Sequence, residues 1–222
     1  SLEIIFCSTS FCWYWSLTDN LAKGNEGKWF DWTPYLNRKW NEPVNTKFSK
    51  EKFKELGDII SSSPIDFEIQ KQVSKIIEDR KKMNSGDIPI NWGFAENMAF
   101  ATLLSEGYPI RFTGQDSRRG TFSHRHSTLH DQKNGSEYIP LVKIANQNNT
   151  KIDLYDSLLS EEAVLGFEYG YSTTWPTGLV IWEAQFGDFA NGAQVVIDQF
   201  IVSAEHKWER LSGLVMLLPH GY

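Results

Sequence analysis

DSLLSEEAVLGFEYGYS (residues 156–172) and LVIWEAQFGDFANGAQVVIDQFIVSAEHK (residues 179–207), joined by a short turn containing Pro176 and Gly178, read as strand end, capped helix, buried strand, loop and helix. Ser160 stands just before the first periodic apolar residues, where a hydroxyl can satisfy free N–H groups of a first helical turn. Glu161 and Glu162 then bring negative charge to the positive helix end. Ala163, Val164, Phe167 and Tyr171 recur at three- and four-residue spacing and predict a helix. Leu179 to Trp182 is a short apolar run without alternation, as expected of a strand covered on both faces. Glu183, Gln185, Phe186 and Asp188 follow at its carboxyl end, the edge where open α/β sheets bind ligands.

Outward from this block, strand and helix patterns alternate. Phe94, Met98, Ala101 and Leu104 have helical spacing, and Gly107 closes that helix. Ile110 to Thr113 reads as a strand leading into Gly114-Gln115-Asp116. Tyr138 to Ile144 and Ile152 to Tyr155 read as further strands, bridged by the polar residues Asn146 to Thr150, and Leu214 to Leu218 as another. The alternation predicts an α/β fold with a mainly parallel sheet and helices on both faces.

Before it lies a helical linker. Lys50 to Ile60 forms one helix, and Ser63-Pro64-Ile65-Asp66 gives a start signal for a second, with Ile65, Ile69, Val73, Ile76 and Ile77 as its stripe and Gly86 beyond its end. Ser16 to Trp40 is polar and Trp-rich, with turn chemistry at Lys23-Gly24-Asn25 and Thr33-Pro34; Trp29, Trp32 and Trp40 read as packing anchors. The resulting division is an unassigned apolar segment at 1–15, a linker with two helices at 16–87, and an α/β domain at 88–222.

With 222 residues, 41% hydrophobic content and nine Trp, the chain can bury a sizeable core. A net charge of −6 with scattered basic residues argues against nucleic acid as a partner. Arg80-Lys81-Lys82 reads as the polar end of a helix. Two cysteines, Cys7 and Cys12, make no disulfide framework and fit a reducing compartment, bacterial cytoplasm or mitochondrial matrix. No apolar run reaches the roughly 18 residues of a membrane helix, so no membrane partner is expected. The opening SLEIIFCSTSFCWYW lacks a starting Met, a basic lead and a cleavage pattern, and reads as a buried interior segment or a translated artefact rather than a targeting signal. The chain begins without Met and stops on Pro219-His220-Gly221-Tyr222, which reads as a piece of a longer protein.

Taken alone, Glu161 fits helix-dipole stabilisation, Phe186 fits core packing or stacking on a ligand, and Gln115 fits donation to a substrate oxygen. Glu183 and Asp188 read as residues that hold their loop through backbone hydrogen bonds. In an extended segment His124 and His126 face the same way, which raises a metal site, but no third and fourth ligand with suitable spacing follows. No metal ligand is therefore assigned. There is no G-x-S-x-G, P-loop or G-x-G-x-x-G motif.

The block at 156–207, with IPINWGFAENMAFATLLSEGYPIRFTGQDSRRGTFSHRHSTLHDQ (88–132) upstream and SGLVMLLPHGY (212–222) downstream, resembles the thiamine-diphosphate-dependent decarboxylating component of 2-oxoglutarate dehydrogenase. The likeness runs from about Leu17, through WTPYLNRKW (32–40), and is close to residue-by-residue from Trp92 onward. It implies a transketolase-like pyrimidine-binding domain, here truncated at its C-terminal side, and thiamine diphosphate as cofactor. Magnesium would be bound through the cofactor's diphosphate by a domain upstream of residue 1. Such a cofactor needs a carboxyl group on its pyrimidine ring nitrogen, in a dry site that raises the carboxyl pKa. The resemblance places Ser160 and Glu161 there, Phe186 on the face of the aminopyrimidine, Gln115 near the reacting centre where many relatives carry Glu, and His124 and His126 on the substrate side. Implied partners are 2-oxoglutarate, a second subunit of a homodimer, and the lipoyl-bearing succinyltransferase and dihydrolipoyl dehydrogenase of a complex. A non-catalytic binding or dimerisation remnant and a 2-oxoadipate-specific relative are the alternatives.

Overall fold

The computed structural model describes residues 3–6, for which only the backbone is considered, and residues 31–36 and 41–220. Cys7, Cys12, Trp29, Trp40, the turn at Lys23-Gly24-Asn25, and Gly221-Tyr222 lie outside the described residues. The elements in chain order are β1 (Glu3–Phe6), α1 (Lys50–Ile60), α2 (Lys71–Ser85), α3 (Trp92–Ser105), β2 (Ile110–Gly114), β3 (Leu129–His130), β4 (Glu137–Tyr138), α4 (Pro140–Gln147), β5 (Ile152–Asp156), α5 (Glu161–Thr173), β6 (Leu179–Glu183) and β7 (Leu214–Leu218). Between β6 and β7 run a 3-10 turn (Gly187–Ala193), a short helical stretch (Gln194–Val196, then π-helical Ile197–Ile201) and the helix Ala204–Trp208. No helix among the described residues is long and apolar enough to cross a membrane.

Contacts divide the chain into two compact units. The first is made of Ser1–Asn45, Arg111–Gln115 and Asp156–Tyr222. Its strands lie in the order β1-β7-β6-β2. β6 and β7 are parallel, with Val180 opposite Leu214 and Glu183 opposite Leu217, and β1 adds antiparallel to β7. Val180, Trp182, Leu214 and Met216 form one core with Val164, Leu165 and Tyr169 of α5 and with Ala193, Val196, Ile201 and Ala204. Ile181, Val215 and Leu217 point to the opposite face and are buried as well. The unalternating apolar run of β6 is thus a strand with two dry faces.

α5 forms where the spacing expects it, and its buried side is set by tertiary partners. Val164, Leu165, Glu168, Tyr169 and Ser172 are buried, whereas Phe167 is 56% exposed. This helix carries apolar residues almost all round, so periodicity supports two faces equally, and the buried one includes a carboxylate because Arg111 of β2 neutralises it. Ser160 is the N-cap in position, with extended backbone, but its hydroxyl makes no capping hydrogen bond. Its carbonyl accepts the first helical N–H, from Val164, at 3.0 Å.

Gly114 ends β2 close against the end of β6. A methyl group there would stand 2.6 Å from the carbonyl oxygen of Glu183, a backbone atom that cannot step aside alone.

The second unit comprises Thr46–Ile110 and Asp116–Tyr155. In it α1 packs on α2, α3 and α4. Ser49 caps α1 by accepting from the Lys52 N–H, and Gly86 (φ 89°) ends α2 in the left-handed conformation that suits glycine. Two expectations fail here. The second linker helix opens at Lys71, capped by Gln70, and not at Ser63-Pro64. Tertiary bonds hold the preceding residues out of helix: the Glu68 N–H donates to Asp131, the Gln132 N–H donates to the Glu68 carbonyl, and Phe67 sits edge-on against Tyr138. Ile65 is consequently fully exposed. The stretch expected as a strand at Tyr138 to Ile144 is mostly the helix α4, with Pro140 at its first turn and Leu141, Ile144 and Ala145 buried at helical spacing.

Gly114→Ala is expected to lower stability by about 1–3 kcal/mol, the usual cost of forcing extra volume into a packed site. Thermal unfolding of the variant beside the parent checks this; an unchanged midpoint would contradict the close approach.

Candidate active site

In the first unit, the carboxyl end of β2 meets the amino end of α5. Gln115 follows β2 directly, and its Nε2 donates to Glu161 Oε1 at 3.2 Å and to the Leu159 carbonyl at 3.4 Å. Its Oε1 is buried, and no group among the described residues donates to it. The segment that leads into α5 is tied to β2, since the Ser157 N–H donates to the Gly114 carbonyl at 2.7 Å. Glu161 itself is half-buried rather than dry. Gly192 lies beside it, and a methyl group at Gly192 would stand 3.7 Å from Glu161 Oε2.

The carboxyl end of β6 forms the second wall. The Ala184 N–H donates to the Leu217 carbonyl at 3.0 Å and the Gly187 N–H to the Pro219 carbonyl at 2.9 Å, so the loop of Phe186 is fastened to the end of β7. Phe186 is 40% exposed and meets Phe189 edge to face, with ring centroids 5.7 Å apart. His220 Nδ1 lies 3.0 Å from the Leu218 carbonyl, to which its N–H donates, and Nε2 lies 3.3 Å from Asp188 Oδ1. Asp188 therefore supports its loop through the His220 ring. The ring packs so closely against Gly187 that a Cβ there would displace it.

In the second unit, His124 and His126 flank Arg125, which is wholly buried. The Arg125 guanidinium pairs with Glu96 at 2.8 Å and donates to the Ser117 carbonyl at 2.9 Å. His124 Nε2 lies 3.4 Å from the other Glu96 oxygen. His126 has a left-handed backbone (φ 37°), so the extended alternation assumed for this segment does not hold. Burial, and after it the Arg80 and Arg119 guanidinium groups, pushes the His126 imidazole down to about 4. Arg80 is pushed down to about 10 by burial and donates to the carbonyls of Arg125 and His126. Burial alone would raise the Glu96 carboxyl, but Arg125 and His124 outweigh it and hold it below the usual carboxylate range.

Residues 88–222 match the family described as the transketolase pyrimidine-binding domain. The chain belongs to that family. It is similar to proteins named 2-oxoglutarate dehydrogenase E1 component: 60% identical over 192 residues to that of Azotobacter vinelandii, covering 86% of this chain and 20% of that protein. Over 192 residues it is 54% identical to that of Haemophilus influenzae, again covering 86% of this chain and 20% of the relative. It is 47% identical over 207 residues to that of Brucella anthropi, covering 93% of this chain and 21% of the relative. The chain thus spans about a fifth of the length of these curated relatives.

The pyrimidine-binding domain brings Glu161 and Gln115 into contact, with Phe186 on the loop that runs back towards Gly192. His124 and His126 belong to the other unit. An aminopyrimidine fits the donor set at α5: a carboxyl group for its ring nitrogen, and the orphaned Gln115 Oε1 as an acceptor for its amine. Sequence reasoning missed Arg125, Glu96 and Arg80. Their signals were faint: one acid inside the apolar helix FAENMAF, and one arginine between two histidines.

His126 is neutral in the fold down to about pH 4, whereas in the unfolded chain it gains its proton near 6.5. Stability is expected to fall as pH drops from about 6.5 towards 4, because only the unfolded state takes up this proton in that window. Denaturant midpoints measured across it should show the slope, and His126→Gln should flatten it.

Proposed function

We propose that this chain supplies the aminopyrimidine-binding half of the active site of a thiamine-diphosphate-dependent component that decarboxylates 2-oxoglutarate. The observation carrying this reading is the Glu161 carboxyl, fixed by Gln115 at the amino end of α5 where β2 and α5 meet. When bound, thiamine diphosphate supplies the thiazolium carbon that attacks a 2-oxo acid and holds the electron pair left when carbon dioxide departs. In this reading Glu161 shares a proton with the pyrimidine ring nitrogen at a carboxyl oxygen. Gln115 orients that carboxyl through Nε2 and receives an N–H at Oε1. Phe186 stacks on the pyrimidine face, worth about 1 kcal/mol beyond burial. Ser160 sets the extended backbone that aims Glu161 out of the helix start.

His124, braced by Glu96 and Arg125, and the neutral His126 serve the substrate side. Magnesium and the diphosphate are held by a domain outside this chain, and residues 16–87 link that domain to the pyrimidine-binding part at 88–222. In this reading the full protein works as a homodimer, in the cytoplasm of a bacterium or the mitochondrial matrix of a eukaryote. It passes the succinyl group to the lipoyl arm of a succinyltransferase, which dihydrolipoyl dehydrogenase reoxidises.

Glu161→Ala in the full-length protein is expected to reduce decarboxylation by at least about 10²–10⁴-fold, the range for removing one proton-transfer group. Thermal unfolding should stay unchanged. Near-normal turnover by a folded variant would falsify the assignment.

A further inference from the structure

Glu168 and Arg111 form the one fork-to-fork ion pair seen between α5 and β2 among the described residues. Arg111 Nε donates to Glu168 Oε2 at 2.7 Å and Nη2 to Oε1 at 2.8 Å. The carboxylate is 1% exposed and the guanidinium side chain 14%. The guanidinium carbon also lies 4.6 Å from the Tyr171 ring centre and 5.3 Å from that of Phe167, so charge and aromatic faces restrain it together.

The same two elements touch again at the other end, where Gln115 meets Glu161. β2 and α5 run in opposite directions between these points. Four residues of strand advance about 13 Å. Seven residues of helix advance about 10.5 Å. The two contacts are thus nearly equal spans apart, and the mismatch is well under the roughly 5.4 Å of one helical turn.

Apolar burial is non-directional and specifies this register only loosely. Val164, Leu165 and Tyr169 are buried against the sheet in the observed register, but burial alone sets no charge-bearing checkpoint along it. Glu168 is the one carboxylate on the buried side of the helix, and a slip would leave it unpaired in a dry site, a strongly disfavoured state. We infer that the Arg111–Glu168 fork is a positioning device: it sets the register of α5 on β2 and thereby places Glu161 against Gln115 for the aminopyrimidine. This rests on the role proposed above for Glu161. Arg111 and Glu168 act through Glu161 and touch no reactant themselves.

The test uses the full-length protein, with thiamine diphosphate and magnesium binding followed by calorimetry, thermal unfolding, and kcat and KM for 2-oxoglutarate. Arg111→Lys keeps the charge and removes the fork. It is expected to fold, to bind the cofactor about tenfold more weakly, and to lower kcat with KM unmoved; a misplacement of 1 Å costs on the order of 10²-fold in rate. Arg111→Met with Glu168→Leu replaces the pair by apolar side chains of similar bulk, an exchange that buried ion pairs often survive. It should fold and show the same loss of cofactor affinity. Wild-type affinity in either folded variant overturns the inference. Unfolding of both also overturns it, since the pair then acts on global stability and not on register. Glu161→Gln, measured in parallel, separates the two levels: if it behaves as wild type, the reading of Glu161 fails. If it is impaired while the Arg111 variants are normal, only the positioning role fails.

Discussion

β6 is dry on both sides, and most of the first unit follows from that requirement. A strand whose Val180 and Trp182 face one way and whose Ile181 and Glu183 face the other, all buried, needs a neighbour on each edge and cover on each face. β7 and β2 provide the edges. α5 and the segment from Gly187 to Trp208 cover the Trp182 side. Once these are in place, the ends of β2, β6 and β7 fall on one rim, and the amino end of α5 is brought to it. The polar groups gathered there are a by-product of how the core is closed, the usual position for a ligand in such sheets.

The sequence made the regular elements of this core legible. β6, β7, β5, α1 and the glycine that ends α2 were all readable, because each rests on an apolar run, a cap or a stop signal within a few residues. The failures have a common physical cause. Residues 63–69 carry a sound helix start, yet hydrogen bonds to Asp131 and Gln132, over sixty residues away, keep Glu68 extended. Tyr138 to Ile144 mixes β-branched and apolar residues, and only Pro140 and the burial of Leu141, Ile144 and Ala145 tell for helix. In α5 local periodicity was silent between two apolar faces, and a partner on another strand chose one of them.

The candidate site was legible in a different way. Glu161 and Gln115 were found from motif likeness, and their contact is a fact of tertiary structure that no local pattern reveals. The charged cluster around Arg125 stayed hidden because buried guanidinium groups look like surface arginines in a sequence. Of two buried cations, Arg125 pairs with the largely covered Glu96 carboxylate and donates to the Ser117 carbonyl, and Arg80 donates to the carbonyls of Arg125 and His126. Such a cluster adds little net stability over an apolar core but tolerates few other backbone paths, since each alternative strands a charge. The left-handed backbone at His126 is one conformation that lets both carbonyls reach Arg80.

The fastening of the Phe186 loop to the end of β7 also imposes an order in time. Ala184 and Gly187 find their carbonyl partners at Leu217 and Pro219, and His220 supplies the ring that packs on Gly187. A chain leaving the ribosome therefore exposes the loop well before the strand that holds it exists. Until β7 emerges, β6 has one edge unpaired and Trp182 lacks part of its cover, the kind of exposed apolar strand that attracts chaperones or aggregates. The Phe186 loop of this rim thus gains its fastening only as β7 docks.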